Sequence, residues 1–276
     1  MIQQNRGKLW VVATPIGNLE DFSSRARTVL SDVDLIAAED TRHSAALLRH
    51  FNIVTRTISL HEHNERDRAD ELVRRMRDDG LRIALISDAG TPLVSDPGFR
   101  LVRAARDAGI EVCPVPGPCA AIAALSAAGL ASDRFVFEGF LPAKSGARRS
   151  RLQELVSETR TLIFYESSHR IEDMLETITD VFGGERPAAL AREITKLHET
   201  FIVDDLNAIV ARVRDDADQR RGEFVIVVSG AHDDDERRER EGRRVFELLH
   251  RELPPGRAAK LAAEITGVSR KRLYST

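Results

Sequence analysis

Leu81-Arg82-Ile83-Ala84-Leu85-Ile86-Ser87-Asp88-Ala89-Gly90-Thr91-Pro92-Leu93-Val94-Ser95-Asp96-Pro97-Gly98 is the stretch that decides the fold. Its first seven residues form a short apolar run, the pattern of a strand buried on both faces. The twelve residues from Ser87 to Gly98 hold two Gly, two Pro, two Asp, two Ser and one Thr. A loop of that length and composition, placed directly after a buried strand, embraces a small ligand better than it serves as a connection. In open α/β sheets, ligands gather outside the carboxyl ends of the strands.

Working outward, short apolar runs alternate with helical periodicity, which predicts an α/β fold. Residues 8–14, 34–38 and 110–115 read as further strands of the same unit. Helices are expected over 22–30, 66–77, 99–108 and 120–128. A second set begins near Asp133, with strands over 135–138, 161–165, 188–191, 200–203 and 224–228 and a helix over 171–182. These divisions predict a first domain over 1–128 and a second over 129–231. A charged linker follows over 232–242, then a short helical module over 243–276.

The 276 residues are 42% hydrophobic, 31% charged and 5% aromatic, a globular balance with cores built from Ala, Val, Leu and Ile. No stretch reaches the roughly 20 apolar residues of a membrane span. The amino terminus lacks an apolar signal core, and Cys113 and Cys119 have no metal-ligand spacing. A cytoplasmic protein without a metal is expected. The net charge of −3 hides an asymmetry: residues 237–276 carry 11 Lys or Arg against 5 Asp or Glu. A basic tail on an acidic body suits an anionic partner such as nucleic acid, or is a solvated helix.

Each turn after a strand carries polar residues. Thr14-Pro15-Ile16-Gly17-Asn18-Leu19 follows the first strand, where Gly17 permits close approach by a ligand or completes an ordinary turn. Glu39-Asp40-Thr41-Arg42-His43 follows the second. It is either an acid–base cluster at a cleft mouth or a helix cap with Arg42 and His43 facing solvent. Pro116-Gly117-Pro118-Cys119-Ala120-Ala121 opens a helix of small residues, and Cys119 reads as a packing residue. Gly139-Phe140-Leu141-Pro142-Ala143-Lys144-Ser145 falls short of a phosphate loop because Ala143 stands where glycine is needed. Lys144, Arg148, Arg149 and Arg151 make that region basic, suited to polynucleotide phosphates or to a solvated face. Tyr165-Glu166 and Ala191-Arg192 lie in polar clusters at strand ends. His61-Glu62-His63 has no third ligand nearby and reads as a polar loop. In the tail, residues 257–274 have helix-turn-helix spacing, with Gly267 at the turn and Arg270, Lys271 and Arg272 exposed on the second helix.

Together the loops resemble the ribosomal RNA small subunit methyltransferase I family, within the tetrapyrrole-methylase-like superfamily. The matching stretches are Thr14 to Leu19, Ala38 to Arg42, Ser87 to Pro92 with Asp96-Pro97-Gly98, Pro116 to Ala121, and Glu138 to Pro142. The resemblance implies two α/β/α domains with a cleft between them for S-adenosylmethionine, and a homodimer. It implies 2′-O-methylation of a cytidine in the decoding region of 16S ribosomal RNA, on free RNA or the assembled small subunit. By the same likeness the cofactor contacts Thr14, Pro15, Gly90, Thr91, Pro92, Val94, Cys119, Ala120, Tyr165, Glu166 and Ala191. Glu39, Asp40 and Glu166 are the candidate proton acceptors. Arg42, Lys144 and Arg192 are candidates to steer phosphates or the hydroxyl. Methylation of a tetrapyrrole-like small molecule and a metabolite-sensing nucleic-acid-binding regulator are the competing readings.

Overall fold

The computed structural model describes residues 7–231 and 235–273, with the backbone alone for residues 235–240, 271 and 272. In the first lobe, strands Lys8–Val12 (β1), Leu35–Ala38 (β2), Thr57–Ser59 (β3), Arg82–Ile86 (β4) and Glu111–Val115 (β5) form one sheet. Its order is β3-β2-β4-β1-β5 and every pairing is parallel. Helices Ser24–Asp32 (α1) and Thr41–His50 (α2) cover one face, where Leu30 and Leu48 pack on Ile36 and Ile86. Glu65–Asp78 (α3) and Phe99–Asp107 (α4) cover the other, where Leu72, Met76 and Leu101 pack on Leu85. A sheet covered on both faces requires apolar residues without alternation, as β2 shows with all four residues buried.

Helix Ala120–Ala127 (α5) leads into the second lobe. There Phe135–Phe140 (β6), Thr161–Ser167 (β7), Pro187–Arg192 (β8), Thr200–Asp205 (β9) and Glu223–Val228 (β10) order as β6-β7-β10-β8-β9. Only β6 and β7 run parallel; the other pairings are antiparallel. Ser145–Leu155 (α6), Ile171–Phe182 (α7) and Leu206–Asp215 (α8) build the core on one face. The opposite face is covered by α5, whose Ala121, Ala124 and Leu125 pack on Ile163, Ala189 and Val225. The small alanines allow that close contact. By packing, α5 therefore lies against the second sheet.

Beyond the second lobe, Asp235–His250 (α9), Pro255–Thr266 (α10) and Arg270–Leu273 (α11) form the helical module. Ala262, Val268 and Leu273 make a small core of their own against Phe246 and Leu249. The stretch read as a charged linker is helical from Asp235 onward, consistent with the strong helix propensity of its Glu and Arg residues; residues 232–234 lie outside the described residues. No helix among the described residues is long and apolar enough to cross a membrane.

Candidate active site

The site is built from the turns that leave β1, β2 and β4. Thr14 and Gly90 form an isolated antiparallel bridge, Thr14 N–H donating to Gly90 O at 2.9 Å and Gly90 N–H to Thr14 O at 3.1 Å. The Thr14 hydroxyl, fully inside, donates to Ser87 O and Gly90 O at 3.3 and 3.4 Å. Thr14 thus ties the first turn to the long loop after β4. That loop bends sharply: Gly90, Leu93, Ser95 and Gly98 all have left-handed φ values, of 83°, 75°, 68° and 123°. A branched residue such as Leu93 adopts that conformation only where the surroundings enforce it, at a cost of about 1–3 kcal/mol.

The bent loop forms one wall of a cleft of about 430 Å³ between the lobes. Glu39, Asp88, Gly90, Thr91, Val94 and Asp96 face it from the first lobe, and Cys119 and Ala120 from the start of α5. Phe140, Tyr165, Glu166, Lys196 and Glu223 face it from the second. Two close approaches set the lobes together. An added Cβ on Gly17 would lie 2.4 Å from Lys196 Cγ, and one on Gly139 would lie 2.8 Å from Ser95 Oγ.

Three carboxylates share the first-lobe wall. Burial, reinforced by the charges of Asp88 and Asp40, raises Glu39 above the usual carboxylate range, although the Asp88 N–H donates to it at 3.4 Å. Burial also pushes Asp96 up to about 6, with Glu39 and Asp88 adding to the shift and the Ser87 hydroxyl opposing it. Across the cleft, Tyr165 is raised by burial, and its hydroxyl accepts the Ala121 N–H at 3.0 Å. The Glu166 side chain is wholly buried. Its Oε1 accepts the Ser167 N–H at 2.8 Å. Its Oε2 lies 3.1 Å from Arg170 Nη2, close enough for an ion pair but without hydrogen-bond geometry, so that oxygen retains accepting capacity.

Of the residues the sequence assigned to the cofactor, Gly90, Thr91, Val94, Cys119, Ala120, Tyr165 and Glu166 line this cleft. Thr14, Pro15, Pro92 and Ala191 do not; Thr14 braces the wall from behind, Pro92 is buried, and Ala191 belongs to the core under α5. Of the candidate acceptors, Glu39 and Glu166 line the cleft. Asp40 does not: its carboxylate accepts the Arg42 N–H at 2.8 Å as the cap of α2 and holds the exposed Arg42 guanidinium at 3.2 Å. The capping alternative therefore describes Asp40 and Arg42.

The basic residues divide as well. Arg148 and Arg192 are 4% and 7% exposed. Arg192 donates to Arg221 O at 2.6 Å and to His198 O at 2.8 Å, which makes it a tether between loops and not a phosphate contact. Arg149 pairs with Asp180, and Arg151 with Glu138 and Glu154. Lys144 and Arg270 are exposed, and the side chains of Lys271 and Arg272 lie outside the described residues. His61 and His63 pack edge to face, 5.9 Å apart. Sequence reasoning did not single out Asp96, Lys196 or Phe140 for roles in the site. The repetition of Ser87-Asp88-Ala89-Gly90 as Ser95-Asp96-Pro97-Gly98 was the available pointer to Asp96.

Comparison with known proteins places this geometry. Residues 8–210 match the tetrapyrrole (corrin/porphyrin) methylases and residues 236–276 match the RsmI C-terminal HTH domain. Ribosomal RNA small subunit methyltransferase I of Xylella fastidiosa (strain Temecula1) is 57% identical over 268 residues, covering 97% of this chain and 98% of its own. The protein of the same name from Escherichia coli O157:H7 is 53% identical over 270 residues, with 98% and 94% covered. Among solved structures, uroporphyrin-III C-methyl transferase from Thermus thermophilus, complexed with S-adenyl homocysteine, shares the fold. Its TM-score is 0.56 at 18% identity, over 82% of this chain and 98% of that one. With two lobes, a cleft between them and near full-length identity of this order, the chain belongs to the ribosomal RNA small subunit methyltransferase I family of tetrapyrrole-type methylases.

Proposed function

We propose that the protein is an S-adenosylmethionine-dependent methyltransferase of small-subunit ribosomal RNA whose target is the 2′-hydroxyl of a cytidine in the decoding region. The convergence of bent loops from both lobes on one carboxylate-lined cleft carries the reading. The choice of cytidine and of the 2′-oxygen rests on the family resemblance. A cytoplasmic homodimer belongs to the same proposal.

The residues present fit the cofactor. A cleft of about 430 Å³ is in the range that encloses a ligand of that size. Small residues at Gly90, Cys119 and Ala120 leave room along one side, and the buried Glu166 Oε2 has capacity for a hydroxyl donor. When bound, S-adenosylmethionine supplies an electrophilic methyl group on a positively charged sulfur. The chain's own part is positioning and charge. Thr91 holds the wall by donating its hydroxyl to Pro118 O at 2.9 Å, so the loop and the α5 entrance move as one unit. Glu39, Asp88 and Asp96 give the wall a negative field that favours a cation. A ribose hydroxyl gives up its proton more readily beside a basic carboxylate. Asp96, titrating at about 6, is mostly ionised at neutral pH yet more basic than an ordinary aspartate. Asp96 and Glu39 are therefore the proposed acceptors.

The test is transfer from a methyl-labelled donor to assembled small subunits and to protein-free RNA, followed by digestion to nucleosides. Label in 2′-O-methylcytidine is expected. Label on a base, on a tetrapyrrole alone, or on no RNA at all overturns the proposal.

A further inference from the structure

Phe140 is the feature of the cleft that donor binding leaves unexplained. It is 55% exposed, a large apolar ring left in water at the rim. Strand alternation alone does not put it there. Between Phe137 and Gly139 the register of β6 on β7 shifts, so that Gly139 pairs with Phe164 and Phe140 with Tyr165. Such a bulge re-aims the side chains that follow it and recurs beside active sites. Gly139 takes a φ of 62°, and its bare Cα admits Ser95 of the strained loop. The bulge thus brings Phe140 to the rim beside Ser95 and Asp96, which line the same cleft.

The ring is also held firmly. Phe140 packs edge to face on Tyr165 with centroids 5.6 Å apart, and Phe137 packs on Tyr165 at 5.0 Å. Tyr165 is fixed in turn by its hydrogen bond from Ala121 at the start of α5. Holding Phe140 by its edge relation to Tyr165 leaves ring surface free for a flat partner. An exposed, firmly held aromatic ring is the element on which an unstacked base stacks.

We infer that Phe140 is a positioning residue for the RNA substrate: it stacks on the base of the target nucleotide and so delivers the attached ribose to the carboxylate wall. The inference rests on the proposed RNA substrate and adds the element that orients it. Stacking tolerates any base, so Phe140 sets the placement of the nucleotide and leaves its identity to other contacts.

The test uses the full chain with S-adenosylhomocysteine bound and decoding-region RNA hairpins in which one cytidine at a time is replaced by fluorescent pyrrolocytidine. Wild-type protein is expected to quench one position on binding. Phe140→Ala is expected to abolish the quenching and weaken RNA binding roughly ten- to hundredfold. Phe140→Leu keeps apolar bulk without a π face and is expected to behave like Phe140→Ala, whereas Phe140→Tyr restores both signals. Calorimetric affinity for S-adenosylhomocysteine is expected to be unchanged in all three. Quenching and affinity retained in Phe140→Ala overturn the inference, as does an equal loss of S-adenosylhomocysteine binding, which would show that the ring covers the donor. Failure of wild-type protein to bind any RNA overturns the functional proposal, and this inference with it.

Discussion

Glu65 Oε1 accepts the backbone N–H of Arg100 at 2.7 Å, with those of Gly98 and Leu101 at 3.1 and 3.3 Å. Gly98, the residue before α4, has no side chain to cap the helix, so the first N–H groups of α4 depend on a carboxylate from the start of α3. Glu65 is 5% exposed, and its position fixes where the long bent loop ends. Glu65→Ala leaves several N–H groups without a partner, and a loss of about 1–3 kcal/mol in denaturant unfolding is expected. Glu65→Gln retains one accepting oxygen and is expected to recover part of it. An Ala variant as stable as wild type would show that water replaces the carboxylate.

Asp96 predicts a pH dependence with a definite sign. Its pKa is raised from 3.8 to about 6 on folding, so between these values the folded protein holds a proton that the unfolded chain has released. The contribution to stability is present below the unfolded value and is lost as pH rises through the folded one. Asp96→Asn resembles the protonated form at every pH. Its melting temperature relative to wild type is expected to rise as the pH is raised from about 4 to 7. If Asp96 takes the hydroxyl proton, the wild-type transfer rate climbs as pH passes about 6 and the Asn variant loses both rate and climb. A pH-independent difference in melting would remove Asp96 as the titrating group.

Arg170 is the cation that faces the Glu166 carboxylate inside the second lobe, Nη2 to Oε2 at 3.1 Å, and its guanidinium also donates to Leu141 O at 2.7 Å. Removing one partner of a buried pair leaves the other uncompensated, commonly at about 3–5 kcal/mol. Arg170→Met is expected to destabilise by that order. Glu166→Gln in the same background is expected to restore much of the loss, since a neutral amide needs no counter-charge. A double-mutant cycle by urea unfolding measures it, and strictly additive effects would mean the two groups do not interact.

Much of this arrangement is legible in the sequence because buried strands and turn residues signal locally. The runs ending at Thr14, Ala38, Ser87 and Val115 are short and mostly apolar, and each marks a turn near the cleft. Less legible is whatever depends on distant partners. Thr57–Ser59 is a three-residue edge strand, half-buried, too short to show a period. Gly139 reads as the start of a loop because nothing local distinguishes a bulge from a strand end. Arg148 and Arg192 look like surface cations because their burial is decided by other segments. Asp40 sits beside Glu39 in sequence, yet one residue of displacement along the chain sends its carboxylate to cap α2 and leaves Glu39 facing the cleft.

Gly17 tests whether the two lobes must meet for the donor to bind. Its φ is 149°, and a methyl group there would press on Lys196 Cγ at 2.4 Å and Thr195 Oγ1 at 3.1 Å. Lys196 has limited freedom to yield: its ammonium pairs with Glu193 at 2.9 Å and Glu223 at 2.7 Å, and Glu193 and Thr195 already have left-handed backbones. Gly17→Ala is therefore expected to push the second-lobe loop away and weaken S-adenosylhomocysteine binding by about tenfold, the equivalent of ~1.4 kcal/mol. Shortening the obstructing side chain in Gly17→Ala/Lys196→Ala is expected to regain part of the affinity, because the methyl then has room. Calorimetric titration of the two variants separates the causes. Recovery in the double variant assigns the loss to the contact between lobes, an equal loss in both assigns it to backbone strain at residue 17, and wild-type affinity in the single variant means the donor does not need the lobes joined at this point.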